Sequence, residues 1–180
     1  MQTLDCIKTR RSIRAFKKDT VSKKTIEQIL DAAIMAPSWK NTQICRYTII
    51  SDRTKIDYLA DNCMMDFTFN QNTLHGAPHL AVISMVEKRC GYERDGSFST
   101  SKEDRWEMFD AGIAAQTFCL AGHDLGIGSV ILGIFDEKKV AEAIALPGGQ
   151  KIAALIAFGY AEGEVVAPKR KCVEDVSIFL

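Results

Sequence analysis

The chain has 180 residues, enough for one domain or one protomer of an oligomer. Hydrophobic residues make up 47% and charged residues 26%, the ordinary balance of a soluble protein with a buried core. Lys+Arg and Asp+Glu both number 23, so no net charge favours nucleic acid or a membrane surface, and any anion site must be local.

Residues 2–8 suggest a short helix that leads into "RRSIRAF", where Arg10, Arg11 and Arg14 crowd around Ser12. "SKKTIEQILDAAIMA" places Ile26, Ile29, Leu30, Ala33 and Ile34 on one helical face, with Ser22 as N-cap and Pro37 marking the stop. "APSWKNTQ" follows as a polar loop. "RYTIIS" is β-branched and aromatic, a strand. Asp52 caps "DRTKIDYLADNCM", and residues 52–78 read as one long helical stretch. "PHLAVISMV" is a continuous apolar run, the pattern of a strand covered on both faces. Residues 88–101 are a polar loop.

"KEDRWEMFDAGIAAQTFCLAGHDLG" is long and helical, and Ala111–Leu120 is apolar nearly all round, which predicts a central helix buried from several directions. "IGSVILGIF" is a further strand. Asp136 caps "EKKVAEAIAL", "PGG" ends it, and "KIAALIAFGY" is the last central strand. The remaining tail has no core pattern and carries a second basic cluster, Lys169, Arg170 and Lys171. Helices and strands do not alternate regularly, so the expected class is α+β.

The six cysteines stand at long, irregular gaps with no C-x-x-C pair, which reads as reduced thiols in a cytoplasmic protein. No metal site is expected, because His75, His79 and His123 have no cysteine pairs at ligand spacing. His79 reads as structural, and His123 as a partner for a helix C-terminal dipole. No apolar run approaches the roughly 20 residues of a membrane span.

Three stretches bear on function. Arginines near a chain start usually sit in solvent or in weak surface ion pairs. Guanidinium forks around a hydroxyl are also the groups that bind phosphate oxygens, and the distant Lys169–Lys171 cluster suits the same anion. In "APSWKNTQ", Trp39 offers a flat apolar face and Asn41 and Gln43 offer paired amides, a set that suits a planar heteroaromatic ligand and also occurs in ordinary loops. In "GIGSVILGIFD" the glycines precede the strand and so miss the dinucleotide fingerprint. Gly126 reads as a helix C-cap and Gly133 as a bulge or close approach.

Taken in order, "IKTRRSIRAF", "AAIMAPSWKNTQICRYTII", "LAGHDLGIGSVILGIFD" and "ALPGGQKIAALIAFGYAEGEVVAPKRK" resemble the flavin-dependent nitroreductase family across nearly the whole chain. The resemblance implies one α+β domain over residues 1–180, with a central mixed or antiparallel sheet flanked by helices. It implies a homodimer with FMN at the subunit interface and a C-terminal tail extending onto the partner.

By that resemblance Arg10, Arg11, Ser12 and Arg14 hold the FMN phosphate, ribityl chain and pyrimidine edge, and Lys169 and Lys171 close on the phosphate. Pro37, Ser38 and Trp39 come from the other subunit, with Asn41 close by. Asn70 reaches the flavin ring, with Asn72 as its rival. Ile131, Leu132 and Gly133 line the opposite face. The activity implied is hydride transfer from NADH or NADPH through the flavin to nitroaromatics or quinones, in ping-pong fashion. A flavin-binding module without efficient turnover is the alternative. Trp39 and Lys40 stand where the family often has small residues, and no large lid is evident between Val86 and Trp106.

Overall fold

A computed structural model describes residues 1–180. In chain order the elements are α1 (Thr3–Thr9), α2 (Lys23–Ala33), β1 (Cys45–Ile50), α3 (Arg53–Cys63), α4 (Thr68–Gly76), β2 (His79–Val86), α5 (Arg105–Asp124), β3 (Gly128–Leu132), α6 (Glu137–Ala143) and β4 (Gln150–Gly159). A single 3-10 turn, Trp39–Asn41, lies between α2 and β1. The strands form one sheet in the order β1-β2-β4-β3, antiparallel at every junction. The class is α+β, as expected.

Local chemistry explains where the helices begin. Ser22, Asp52 and Asp136 each accept a hydrogen bond from the backbone N–H three residues on, at Thr25, Lys55 and Lys139. The end of α5 is set by Gly126 at φ +79°. Ile127 N–H donates to Gly122 C=O and Gly126 N–H to His123 C=O, the paired bonds of a Schellman stop. The sequence expectation for Gly126 therefore holds. The one for Gly133 does not, because its φ is not positive and a Cβ there would meet only open space.

The sheet is covered on both faces. Leu80, Val82, Leu155 and Ala157 face a core shared with Ile56, Leu59 and Leu74 of α3 and α4 and Val140 of α6. Ala81, Ile83, Ile156 and Phe158 face the opposite core with Ile29 of α2 and Phe118 of α5. Strand alternation sends neighbours to opposite faces, so β2 must be apolar over Leu80–Ile83 and β4 over Leu155–Phe158. Each fully buried Leu, Ile or Phe contributes about 1.5–3 kcal/mol.

Three expectations need correction. The helical stretch 52–78 is broken into α3 and α4, because Met65 and Asp66 adopt left-handed φ values of 50° and 56°. Ile34 is 63% exposed rather than on the buried face, since α2 ends at Ala33 and Ile34 is its C-cap. Helix α5 is buried on one side only: Asp110, Ala114, Phe118 and Gly122 face inward, while Phe109, Gly112 and Gln116 are exposed. No helix is long and apolar enough to cross a membrane.

Candidate functional site

The arginine run follows α1 directly. Ser12 forms a parallel bridge with Ser129 on the free edge of β3, and Ile13 N–H donates to Ser129 C=O at 3.0 Å. Phe16 bridges Ala161 beyond β4. The run is thus laid from β3 across the end of β4. One glycine makes room for it. A Cβ on Gly128 would stand 2.7 Å from the Ile13 side chain.

Backbone pairing fixes this run, and its charges find no acidic partner. Arg11 Nη1 donates to the carbonyls of Lys8 and Arg10, and Arg14 Nη1 to the carbonyl of Ser12. No ion pair in the protein includes Arg10, Arg11 or Arg14. The last turn of α5 brings His123 beside them, with Nε2 at 2.8 Å from Thr9 Oγ1. Thr9 Oγ1 donates to Asp5 C=O, so the imidazole N–H is the donor to Thr9. Burial, then Arg10 and Arg11, push the His123 pKa below the ordinary histidine value. The expected dipole role called for a cation, and the surroundings favour the neutral ring instead.

Next to the run lies an open cleft of about 360 Å³, lined by Arg14, Phe67, Phe69, Asn70, Ile131, Leu132, Gly133 and Ile134. Asn70 is buried, and its Nδ2 donates to Ile134 C=O at 2.9 Å. Asn72 is exposed on the same helix and does not line the cleft. Ile131 is exposed in the middle of β3, and Gly133 leaves the space beside it open. The β3 side of the cleft is therefore apolar and accessible. Phe67 and Phe69 were missed by sequence reasoning, although "DFTFN" places two aromatics just before Asn70.

The turn 38–43 is elsewhere. It leads into β1, which lies three strand spacings from β3, or roughly 14 Å. Lys40, Asn41 and Gln43 are all left-handed, with φ of 45°, 54° and 49°, at a cost of about 1 kcal/mol or more for each non-glycine residue, least for Asn. The turn is braced. Gln43 N–H donates to Ser38 Oγ, and Trp39 N–H donates to Asp110 Oδ2 at 2.9 Å. Lys40 pairs with Glu93 at 2.9 Å, and the Trp39 ring packs 4.6 Å from the Trp106 ring. Asn41 is exposed. Pro37 and Ser38 line a small cavity of about 120 Å³ with Asp110, Arg46 and Tyr47. Burial pushes the Tyr47 phenol pKa up, and its hydroxyl has no partner.

One chain therefore gathers Arg14, Asn70, Ile131, Leu132 and Gly133 at a cleft, with Arg10, Arg11 and Ser12 on the adjoining run. It leaves Pro37, Ser38, Trp39 and Asn41 on the far side of the sheet. Lys169 and Lys171 are exposed on the tail and make no ion pair or hydrogen bond. Large apolar side chains remain uncovered: Leu4 and Ile7 on α1, Ile34 and Met35 after α2, Met108 and Phe109 on α5, and Val166, Ile178 and Phe179 on the tail.

A nitroreductase family profile matches residues 7–160. The chain belongs to the nitroreductase family. An Archaeoglobus fulgidus protein named for NADH dehydrogenase and NAD(P)H nitroreductase activity is 29% identical, covering 91% of this chain and 87% of its own length. The crystal structure of an FMN-dependent nitroreductase from Clostridium difficile R20291 is 27% identical with a TM-score of 0.74, covering 96% of this chain and 94% of that one. A nitroreductase family protein from Streptococcus pneumoniae TIGR4 is 20% identical with a TM-score of 0.86 over 98% and 99% of the two chains, a likeness of fold. Within the nitroreductase frame, the arginine run, the aromatic-walled cleft and the distant turn are the parts to be explained.

Proposed function

We propose that this chain is the protomer of a homodimeric, FMN-dependent NAD(P)H oxidoreductase that reduces nitroaromatics, quinones or similar acceptors in a ping-pong cycle. The observation that carries the reading is the set of three arginines without acidic partners, held beside an open cleft with aromatic and aliphatic walls. That donor set fits FMN. A phosphate dianion compensates guanidinium groups that nothing in the chain compensates, through charge-assisted bonds about twice as strong as neutral ones. Ile131, Leu132 and Gly133 offer an apolar plane to a ring system, and Phe67 and Phe69 wall it.

Bound FMN supplies the ability to take a hydride from NADH or NADPH and pass it to an acceptor. The residues of the chain have simpler tasks. Arg10, Arg11 and Ser12 hold the phosphate end, with Lys169 and Lys171 closing from the tail. Arg14 offsets negative charge at the ring end. The Asn70 amide is kept in place by Ile134 C=O, and its Oδ1 remains available as an acceptor. Arg14 is the one ionisable group that this chain places on the lining of the cleft.

The dimer explains the divided site. A second copy brings Pro37, Ser38, Trp39 and Asn41 to the cleft of the first. The uncovered faces of α1 and α5 and the apolar tail are the surfaces it would cover. The test is the visible spectrum of purified protein after FMN addition and removal of unbound flavin, followed by NADH and NADPH oxidation with a nitroaromatic acceptor. Retained flavin bands and turnover are expected. Retained flavin without turnover makes the protein a flavin-binding module, and no retained flavin overturns the reading.

A further inference from the structure

Asp110 sits on α5 and is 3% exposed. Its Oδ2 accepts two hydrogen bonds, from Trp39 N–H at 2.9 Å and from the Cys90 thiol at 3.0 Å. A buried carboxylate is costly unless it is well bonded, so its presence on the inward face of α5, beside Ala111 and Ala114, calls for an explanation. The turn above it supplies one. Three left-handed, non-glycine residues follow Trp39 within four positions. Such backbone persists only where the surroundings over-determine it.

The braces on this turn are unequal. The Ser38–Gln43 bond is internal and cannot fix the turn to the fold. The Lys40–Glu93 pair is half exposed and screened. The Trp39–Trp106 ring contact orients a side chain and leaves the backbone free to rotate. The bond from Trp39 N–H to Asp110 is the part-buried, charge-assisted anchor of the backbone itself, made to a carboxylate that is buried. It sits where the chain passes from Pro37 and Ser38 into the left-handed residues. The same carboxylate lines the small cavity with those two residues.

We propose that Asp110 is a positioning residue: its carboxylate anchors Trp39 and so holds the Pro37–Ser38 turn in the form that meets FMN bound to the partner subunit. This rests on the flavin reading of the preceding subsection. Asp110 touches neither cofactor nor acceptor and acts through the turn. Cys90 is the second donor to the same oxygen and keeps the carboxylate aimed. Burial, followed by the neighbouring Asp110, pushes the Cys90 pKa up, so it remains a thiol donor.

The experiment uses the full chain and two readouts: amide hydrogen exchange over residues 39–43 without flavin, and FMN affinity together with visible circular dichroism of the bound flavin. Asp110→Ala is expected to speed exchange in the turn by about tenfold and to weaken FMN binding by about tenfold, with an altered flavin dichroism. Asp110→Asn should recover most of both, because its amide oxygen still accepts from Trp39 N–H. Cys90→Ala, which leaves the Trp39 bond in place, should stay within about threefold of wild type.

Should Asp110→Ala fail to fold, Asp110→Ser is the second truncation, with the same expected result. Its hydroxyl stops short of Trp39. Unchanged exchange and unchanged FMN affinity in the truncated variant overturn the proposal. So does an equal loss in Cys90→Ala, which would make Asp110 a packing group. Wild-type protein that takes up no FMN overturns the flavin reading itself and the functional half of this inference with it. Wild-type binding beside an unmoved Asp110→Ala variant overturns this inference alone.

Discussion

The two halves of the candidate site are built on opposite principles. The arginine run is held firmly by its backbone, yet its charged ends point to no acidic partner. The turn 38–43 has costly backbone angles, yet its groups are tied down by Asp110, Ser38, Glu93 and Trp106. The arginine side chains bond only to backbone carbonyls, which leaves their charge uncompensated within the chain. A region meant to present a shape gains by being braced before the ligand arrives. Mutations should therefore separate into two kinds, those that cost ligand and those that cost fold.

The largest expected effect is on the arginine run. Arg10→Ala should lower FMN affinity by about 10- to 100-fold, the loss of one charge-assisted contact of about 1.5–3 kcal/mol. Its melting temperature without FMN should be nearly unchanged, since Arg10 closes no ion pair. Thermal melts with and without flavin check both. An equal loss in the absence of FMN would break the contrast.

Gly128→Ala should come next. The new methyl would stand 2.7 Å from Ile13, so the run must lift from β3. Overpacking of this kind costs about 1–3 kcal/mol. FMN affinity should fall although no arginine has changed. Denaturant titration and FMN binding on the same variant measure the two losses side by side.

A pH series tests the scaffold that both halves share. His79 Nε2 accepts from Val21 N–H and Nδ1 lies 2.7 Å from Ser51 Oγ, so the folded ring is neutral and burial lowers its pKa. His123 is lowered as well. A histidine held below its unfolded pKa of 6.5 contributes its full stability above about pH 6.5 and loses it as the pH falls below that value. Melting temperature should therefore drop as the pH falls below about 6.5. The drop should be shallower in His79→Leu, even though that variant starts lower at neutral pH.

The smallest expected effect is at Lys40. Lys40→Gly removes an exposed ion pair and also relieves a left-handed lysine. The two terms oppose one another, and unfolding free energy should stay within about 1 kcal/mol of wild type. A larger loss would promote the Glu93 pair to a principal brace and weaken the case for Asp110.

Much of this was legible in the chain. Caps at Ser22, Asp52 and Asp136 are local chemistry, and each appears where a short polar side chain precedes an apolar helical pattern. The runs in β2 and β4 announced strands covered on both faces. The break between α3 and α4 was not legible, because Met65 and Asp66 are not glycines and nothing in their side chains demands a left-handed backbone. Asp110 was missed for a similar reason: an acid in the first half of a helix gives no hint of a backbone N–H 71 positions away.

The sequence by itself determined the element types, the helix starts and the concentration of positive charge in the arginine run, because these follow from neighbours a few positions apart. Tertiary structure alone decided which residues meet. Strand order β1-β2-β4-β3 sets the turn at one edge of the sheet and the cleft at the other. The parallel bridge of the arginine run to β3 and the bond from Asn70 on α4 to Ile134 C=O joined Arg14, Asn70 and Ile131 around one floor, though they are distant in the chain. Such placements depend on long-range packing, whose energy is shared over many side chains and is written in no single stretch of sequence.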